Sequence, residues 1–297
     1  MSKPGSTPLR ELLAAGPVLA PACYDGITAA ILEQEGFSAL GISGAGLAMS
    51  LLGVPDLGLL TLTELVTAVR AITARRSVPV LVDADTGFGG TLNVVRTVEE
   101  LARAGAAAIQ LEDQVAPKRC GHLAGKAVVS RAEFVERIVA ATVGRGDSDA
   151  LIVARTDALA AHGLDEALNR GHGAIEAGAD LVFVEAPTTV DEVERVGTEF
   201  PGRAMYNLAT GGRSPALGVD ELGELGYALV VCPTVALYPV VSALRDAARS
   251  LRRTGTDAHL RSLGMSPAAL FDSVHMSAWL ELDANIERKA NAVTRDV

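Results

Sequence analysis

Short apolar runs alternate with longer stretches whose apolar residues recur at helical spacing, from the start of the chain to about residue 253. The runs at 18–23, 39–42, 79–82, 107–111, 150–154, 180–184, 203–206 and 228–231 are apolar on successive residues. Strands buried on both faces read this way, as in a parallel sheet covered by helices. Helical spacing predicts helices over 8–15, 27–35, 63–76, 92–103, 131–142, 164–176 and 190–200, with a strong one over 237–253. Gly105-Ala106 and Gly178-Ala179 each stand just before a strand, where a glycine ends the preceding helix. Eight strand-and-helix alternations with no linker-like run predict an α/β fold, a single (β/α)₈ TIM-type barrel occupying residues 1–297 as one domain. A helical extension follows from about residue 255. Its stretch 267–290 carries Leu270, Val274, Ala278 and Leu282 at helical spacing, a stripe suited to packing against the body of the domain.

Composition bounds the function. With 297 residues, 49% of them hydrophobic, the chain can bury one large core or two moderate ones. A formal charge of −10 argues against nucleic acid, whose phosphates need a basic surface. An anionic substrate would therefore be met by locally placed Arg and Lys. The three cysteines, Cys23, Cys120 and Cys232, form no CxxC pair and suggest neither a disulfide framework nor a zinc knuckle. Lys3 and Arg10 before a Leu- and Ala-rich run superficially resemble an export signal, but Glu11, Gly16 and Pro17 interrupt that run, so a cytoplasmic protein with no membrane association is expected.

Chemistry concentrates where apolar runs end. Val80, Leu81 and Val82 run into Asp83 and Asp85, and Ala108 to Leu111 run into Glu112 and Asp113. Hard oxygen donors from adjacent strand ends are what Mg²⁺ uses. Gly87, Gly89 and Gly90 beyond the first pair would equally serve a plain turn. In the next loop Lys118, Arg119, His122 and Lys126 bracket Cys120, and such cations lower a thiol pKa. Few apolar residues lie between 115 and 126 to anchor that loop, which suggests a lid that little holds down before a substrate anion arrives. Ser43-Gly44-Ala45-Gly46 is either an anion cradle or a tight turn. Arg155 at another strand end is suited to clamp an anion bidentately, or to pair with Asp157 or Glu185.

The strings DADTGFG, LEDQ, KRCGHLAGK and ARTDAL, in that order, resemble the isocitrate lyase and phosphoenolpyruvate mutase superfamily, in the branch with 2-methylisocitrate lyase, 2,3-dimethylmalate lyase and carboxyphosphonoenolpyruvate mutase. The resemblance implies Mg²⁺ (or Mn²⁺) held directly by Asp83, with Asp56, Asp85 and Glu112 holding metal-bound waters. It implies that Ser43, Gly44 and Ala45 bind the carboxylate of a pyruvate-like moiety, that Arg155 clamps the substrate, and that Glu185, Asn207, Arg119, Gly121 and His122 bind its second half. Cys120 resembles the general acid. The implied reaction is a retro-aldol cleavage of a 2-hydroxy di- or tricarboxylate to pyruvate or a related 2-oxo acid through an enolate, with the base unassigned. Alternatives are phosphorus–carbon chemistry of the phosphonomutase type, an oxaloacetate decarboxylase or hydrolase, and a barrel that only binds. The resemblance further implies a homo-oligomer, a tetramer built as a dimer of helix-swapped dimers. Gly41, Thr210 and Cys232 depart from residues common in methylisocitrate lyases at positions expected to border the substrate.

Overall fold

The computed structural model describes residues 7–119, 121 and 125–295. It divides into two compact units, Met1–Leu237 and Tyr238–Val297. The sequence reading, by comparison, placed the helical extension from about residue 255. In the first unit eight strands close a parallel barrel in chain order: β1 (Val18–Cys23), β2 (Leu40–Ile42), β3 (Val80–Asp83), β4 (Ala108–Glu112), β5 (Leu151–Thr156), β6 (Leu181–Val184), β7 (Ala204–Asn207) and β8 (Tyr227–Cys232), with β8 pairing back to β1. The TIM-type barrel expected from the apolar runs is the fold, and each strand lies within about two residues of its predicted bounds.

Side chains alternate across a strand, so each strand contributes one set to the barrel interior and one to the helix layer. Leu81, Ala108, Leu151, Val153, Leu181, Phe183, Met205 and Leu229 share one buried cluster, the barrel interior. Val82, Ile109, Leu111 and Ile152 pack instead with the surrounding helices, through Val94, Val98, Leu101, Phe134 and Ile138. Leu9 of the helix Leu9–Ala15 joins the inner cluster, and Arg10 on the same helix reaches Asp180 just ahead of β6, so this helix covers the N-terminal end.

Two glycines do what their position promised. Gly105 and Gly178 adopt φ of 96° and 99°, and the residue after each donates its N–H back into the helix, Ala106 to the Leu101 carbonyl at 3.0 Å and Ala179 to the Ala174 carbonyl at 2.9 Å. This is the Schellman closure that ends a helix and turns the chain into the next strand.

Helical segments missing from the sequence reading are short or irregular. Val219–Glu224 bridges β7 and β8 with six residues, one of them (Leu222) buried, too few to show a period. After β2 the chain makes a helical turn, Gly44–Leu47, and a π-helical one, Ala48–Leu52, where a loop was expected. In the second unit the predicted 267–290 helix is two, Pro267–Asp272 and Met276–Arg295, separated at His275 with φ of 62°. Leu270, Val274 and Leu282 of its stripe are exposed. No helix among the described residues is long and apolar enough to cross a membrane.

Candidate active site

The period-two alternation that fills the barrel also builds its mouth. On β3 the inward set runs Leu81, then Asp83. On β4 it runs Ala108, Gln110, Glu112, and on β5 it runs Leu151, Val153, Arg155. On β6 it is Leu181, Phe183 and then Glu185, and on β7 Met205 and then Asn207. Each inward row therefore starts apolar and ends polar at the C-terminal end, where barrels carry their sites. Registers place Gln110 beside Asp83 and Arg155 beside Glu112. The Gln110 amide donates to Asp83 at 3.0 Å, and Arg155 lies 3.3 Å from Glu112.

Charge in this mouth is concentrated and almost dry. Glu112 and Glu185 are 1% exposed, and Asp157 likewise. Neither carboxylate oxygen of Glu112 has a hydrogen bond among the described residues, and its burial pushes its pKa well up against the opposing pull of Arg155. Asp85 is pushed up to about 6, by burial first, with Lys118 opposing. Arg155 is forked onto Asp157, its Nε donating at 2.9 Å and a terminal nitrogen at 3.2 Å. Glu185 stands 3.9 Å from it, and the Phe183 ring lies 5.4 Å beneath its guanidinium carbon. Burial opposes the Arg155 charge, but Asp157, Glu185 and Glu112 outweigh burial and keep it charged. Arg155 is thus ion-paired, as one of its two readings expected, and it stands on the inward row at the mouth.

Asp113, next to Glu112, points the other way. It accepts from Thr156 Oγ1 at 2.6 Å, from the Asp157 N–H at 2.8 Å and from Arg170 at 3.0 Å. One strand-end acid serves the site and its neighbour fixes the next strand end. Backbone strain is found here as well: Asp85 has φ of 49° and Ala186, just after Glu185, φ of 58°. An alanine in that region costs on the order of 1 kcal/mol.

The loop after β4 departs from expectation. Lys118 is buried, and its ammonium contacts Asp56 at 2.6 Å and Asp85 at 2.7 Å. Lys126 contacts Asp157 at 2.7 Å. Gln114 exchanges two 2.9 Å hydrogen bonds with the Arg119 backbone, and the Val115 N–H donates to the Ala127 carbonyl at 2.8 Å. The described part of the loop is thus tied down by ion pairs and backbone bonds. The expectation of a loop that little holds before ligand arrives counted apolar anchors and overlooked polar ones. For the same reason Lys118 and Lys126 are engaged with acids and are not loose cations around a thiol.

The structure brings Asp83, Asp85, Asp56, Glu112, Arg155 and Glu185 together. A Cβ on Gly121 would run into Arg155 and Glu185, which places that residue against them too. Ser43 caps the short turn that follows β2, and a Cβ on Gly44 would come 3.2 Å from Asp85 and 3.5 Å from Asp83, so this turn abuts the acids. Ala45 follows it, half-buried. Arg119 is not brought in: it is exposed, with its guanidinium beside Gly125. Cys120 and His122 lie outside the described residues. Gly87 turns out to be a packing glycine, with φ of 90° and room for a Cβ only 2.5 Å from Val94.

Sequence reasoning passed over Gln110 as a site-building residue, and it missed the pairing of Lys118 with Asp56 and Asp85 and of Lys126 with Asp157. A glutamine inside an apolar run was the available signal for the first, since a buried amide must find a partner.

A family model described as phosphoenolpyruvate phosphomutase matches residues 9–252. The chain belongs to that family. It is 45% identical over 251 residues to 2,3-dimethylmalate lyase of Eubacterium barkeri (84% of this chain, 87% of the relative), and 44% identical over 284 residues to the chloroplastic carboxyvinyl-carboxyphosphonate phosphorylmutase of Arabidopsis thaliana (94% and 83%). Among solved structures, a 2,3-dimethylmalate lyase of the PEP mutase/isocitrate lyase superfamily superposes with a TM-score of 0.89 at 37% identity, covering 94% of this chain and 95% of that one. An oxaloacetate acetylhydrolase bound to 3,3-difluorooxalacetate superposes at 0.90 with 33% identity, covering 95% and 97%. These relatives and structural neighbours are thus named as a lyase, a mutase and a hydrolase.

Within that family frame, the three departures occupy different places. Gly41 lies on β2 two residues before Ser43 and faces β1, where its Cβ would meet Ala22 at 3.7 Å. Thr210 is exposed on the loop after β7. Cys232 follows the inward Val231 and so takes the outward phase, half-buried. The expectation that all three border the substrate is therefore wrong for Cys232, because the pleat turns its side chain away from the barrel axis.

Proposed function

We propose that this protein is a Mg²⁺-dependent carbon–carbon lyase that cleaves a 2-hydroxy di- or tricarboxylate to pyruvate or a related 2-oxo acid and a second carboxylic acid. The observation that carries the reading is the Glu112 carboxylate. It is buried, without a hydrogen bond to either oxygen; Arg155 lies 3.3 Å from one oxygen but is itself shared with Asp157 and Glu185, and Asp83 and Lys118 are within electrostatic reach. Buried carboxylates ordinarily have donors or ions against them. Asp83, Asp85, Asp56 and Glu112 are the hard oxygen donors that suit Mg²⁺, so the residues fit the ion, although no three Asp, Glu, His or Cys side chains converge as a metal centre among the described residues as arranged. When bound, Mg²⁺ would supply Lewis-acid stabilisation of negative charge on a substrate oxygen.

The remaining roles fall to the chain's own groups. Arg155, charged and held by Asp157, would pair with a substrate carboxylate or developing oxyanion. The Ser43–Ala45 turn would orient the 2-oxo acid half, and Glu185, Asn207 and Gly121 the other half. Cys120 would return the proton to the departing carbon, on the strength of the KRCGH resemblance. A homo-oligomer is likewise proposed, supported by large exposed apolar side chains in the second unit such as Leu244, Phe271, Trp279 and Ile286.

A lactate dehydrogenase-coupled assay over alkylmalates and 2-methylisocitrate, with and without EDTA, is the test. Pyruvate release that EDTA abolishes is expected, and silence across the panel would sink the reading. The 44% identity to a phosphorylmutase favours phosphorus–carbon chemistry as the second reading. Phosphorus NMR on phosphonopyruvate-type substrates separates the two.

A further inference from the structure

We propose that Arg170, on the helix Leu164–Glu176 outside the barrel, is a positioning residue that holds the base of the Cys120 loop and the Asp157 anchor of Arg155 in one arrangement. The proposal rests on the lyase reading above and adds a residue that no motif of the sequence marked. Arg170 is buried, and its partners lie behind the mouth. Its Nη1 donates to Asp113 Oδ2 at 3.0 Å and to the Val129 carbonyl at 2.9 Å, and its Nε donates to Glu166 at 2.8 Å. Asp113 and Val129 are the two ends of the loop that carries Lys118, Cys120 and Lys126, and the Val129 N–H donates to the Asp113 carbonyl at 2.8 Å. One guanidinium thus closes that loop at its base.

The same carboxylate reaches the next strand end. Asp113 Oδ1 accepts from the Asp157 N–H at 2.8 Å, and Oδ2 accepts from Thr156 Oγ1 at 2.6 Å. Asp157 in turn carries Arg155 and Lys126. A chain of buried groups therefore runs from Arg170 through Asp113 and Asp157 to Arg155, out of the helix layer and into the barrel mouth. Burial pushes the Asp113 carboxyl above its ordinary range, with the Asp157 N–H, Thr156 and Arg170 opposing. Without Arg170 the buried charge has less to hold it, and the carboxylate answers by taking a proton or by moving toward water. A neutral carboxyl is a poorer acceptor, and a displaced one is no acceptor at all, so both answers loosen the Asp157 backbone. Arg155 then loses its set orientation while the strands remain, and a shift of about 1 Å at a reacting group is enough to cost roughly 10²-fold in rate.

The test separates position from stability. Arg170→Met removes the charge and keeps much of the stem. Arg76→Gln is the control, because Arg76 is equally buried but pairs with Glu33 at 2.7 Å, ahead of β3 at the opposite end of the barrel. Both variants are compared with wild type well below their thermal midpoints. In Arg170→Met, amide exchange read by mass spectrometry should speed up by about tenfold or more in peptides covering 113–119, 125–129 and 155–158, the change that losing one charge-assisted hydrogen bond brings. A peptide covering β8 should keep wild-type exchange. The kcat for pyruvate release should fall by roughly 10²-fold in Arg170→Met and stay unchanged in Arg76→Gln. Wild-type exchange in the loop and strand-end peptides, a rise spread evenly over the barrel, or wild-type kcat overturns the proposal. If wild type itself releases no pyruvate, the lyase reading fails and the exchange pattern alone decides the positioning. Should Arg170→Met fail to fold, Arg170→Lys answers in its place. It keeps the charge beside Asp113 on a single nitrogen, which cannot span Glu166 and the Asp113–Val129 pair at once. Faster exchange in the same peptides is expected of it, and wild-type exchange there overturns the proposal.

Discussion

Asp157→Asn tests whether the mouth is held together by charge pairing. The side chain is fully buried and carries two cations: Arg155 at 2.9 and 3.2 Å and Lys126 at 2.7 Å. The substitution keeps the shape, so no cavity is made, and removes one charge. Charge-assisted hydrogen bonds contribute about 1.5–3 kcal/mol each, which for three would sum to roughly 5–9 kcal/mol. That sum is too high here, because asparagine keeps one acceptor oxygen and Arg155 retains Glu112 at 3.3 Å and Glu185 at 3.9 Å. Breaking one buried pair, about 3–5 kcal/mol, is the better figure. For a unit of this size that lowers the thermal midpoint by roughly 6–20 °C, measured by far-UV circular dichroism at neutral pH. The pH dependence supplies a second check. Burial would raise the Asp157 pKa, but Arg155 and Lys126 more than reverse this and hold it below 3.8. Its contribution is thus present above pH 3.8 and lost as pH falls through the lower folded value. The gap between wild type and variant should close in acid. A neutral-pH loss under about 1 kcal/mol would refute the reasoning, since Arg155 and Lys126 would then be satisfied without this charge.

Cys120→Ser should lower kcat by roughly 10²-fold or more in the pyruvate-release assay with an unchanged thermal midpoint, and full activity would remove Cys120 from the chemistry. Cys23 is buried, donates to the Gly41 carbonyl at 3.3 Å and is pushed by burial from 9.0 to about 12, so iodoacetamide at pH 8 should leave it unmodified in the native protein. The same shift means that the native state holds this proton longer than the unfolded chain, so stability should fall as pH rises above 9, and Cys23→Ala should flatten that slope. Gly87→Ala should cost roughly 2–4 kcal/mol, from a left-handed φ and overlap with Val94 together, measured by urea unfolding. A loss near zero would show that Val94 yields freely.

Periodicity alone revealed the barrel because a parallel strand covered on both faces is apolar at every position, and Val80 to Val82 or Leu151 to Ala154 leave no other reading. The acids at Asp83, Asp85 and Glu112 were equally plain, since each interrupts such a run. What the sequence could not show is which neighbour each charge chooses. Lys118 and Lys126 are eight residues apart in one loop, yet one ends on Asp56 and Asp85 and the other on Asp157. Partners separated by 31 to 62 positions are set by strand register and loop path, which carry no local signature. Arg119 shows the converse: it stands in the most specific motif of the chain and still points to solvent beside Gly125.

Strand phase then decides which departures from the relatives can matter for substrate choice. A residue one position along a strand moves to the opposite face, so Val231 and Cys232 cannot both line the barrel interior. A change at Cys232 acts on the half-buried outer layer, whereas a change at Gly41 lies two residues below Ser43, on the face of β2 that meets Ala20 and Ala22 of β1. Glycine and alanine there leave the wall between β1 and β2 low, next to the turn that would hold the 2-oxo acid half. Asp83, Glu112, Arg155 and Glu185 stand on β3 through β6, the other arc of the same ring. The acids and Arg155 thus gather on one arc, and Gly41 with Ala20 and Ala22 forms a small-residue arc that carries none of them.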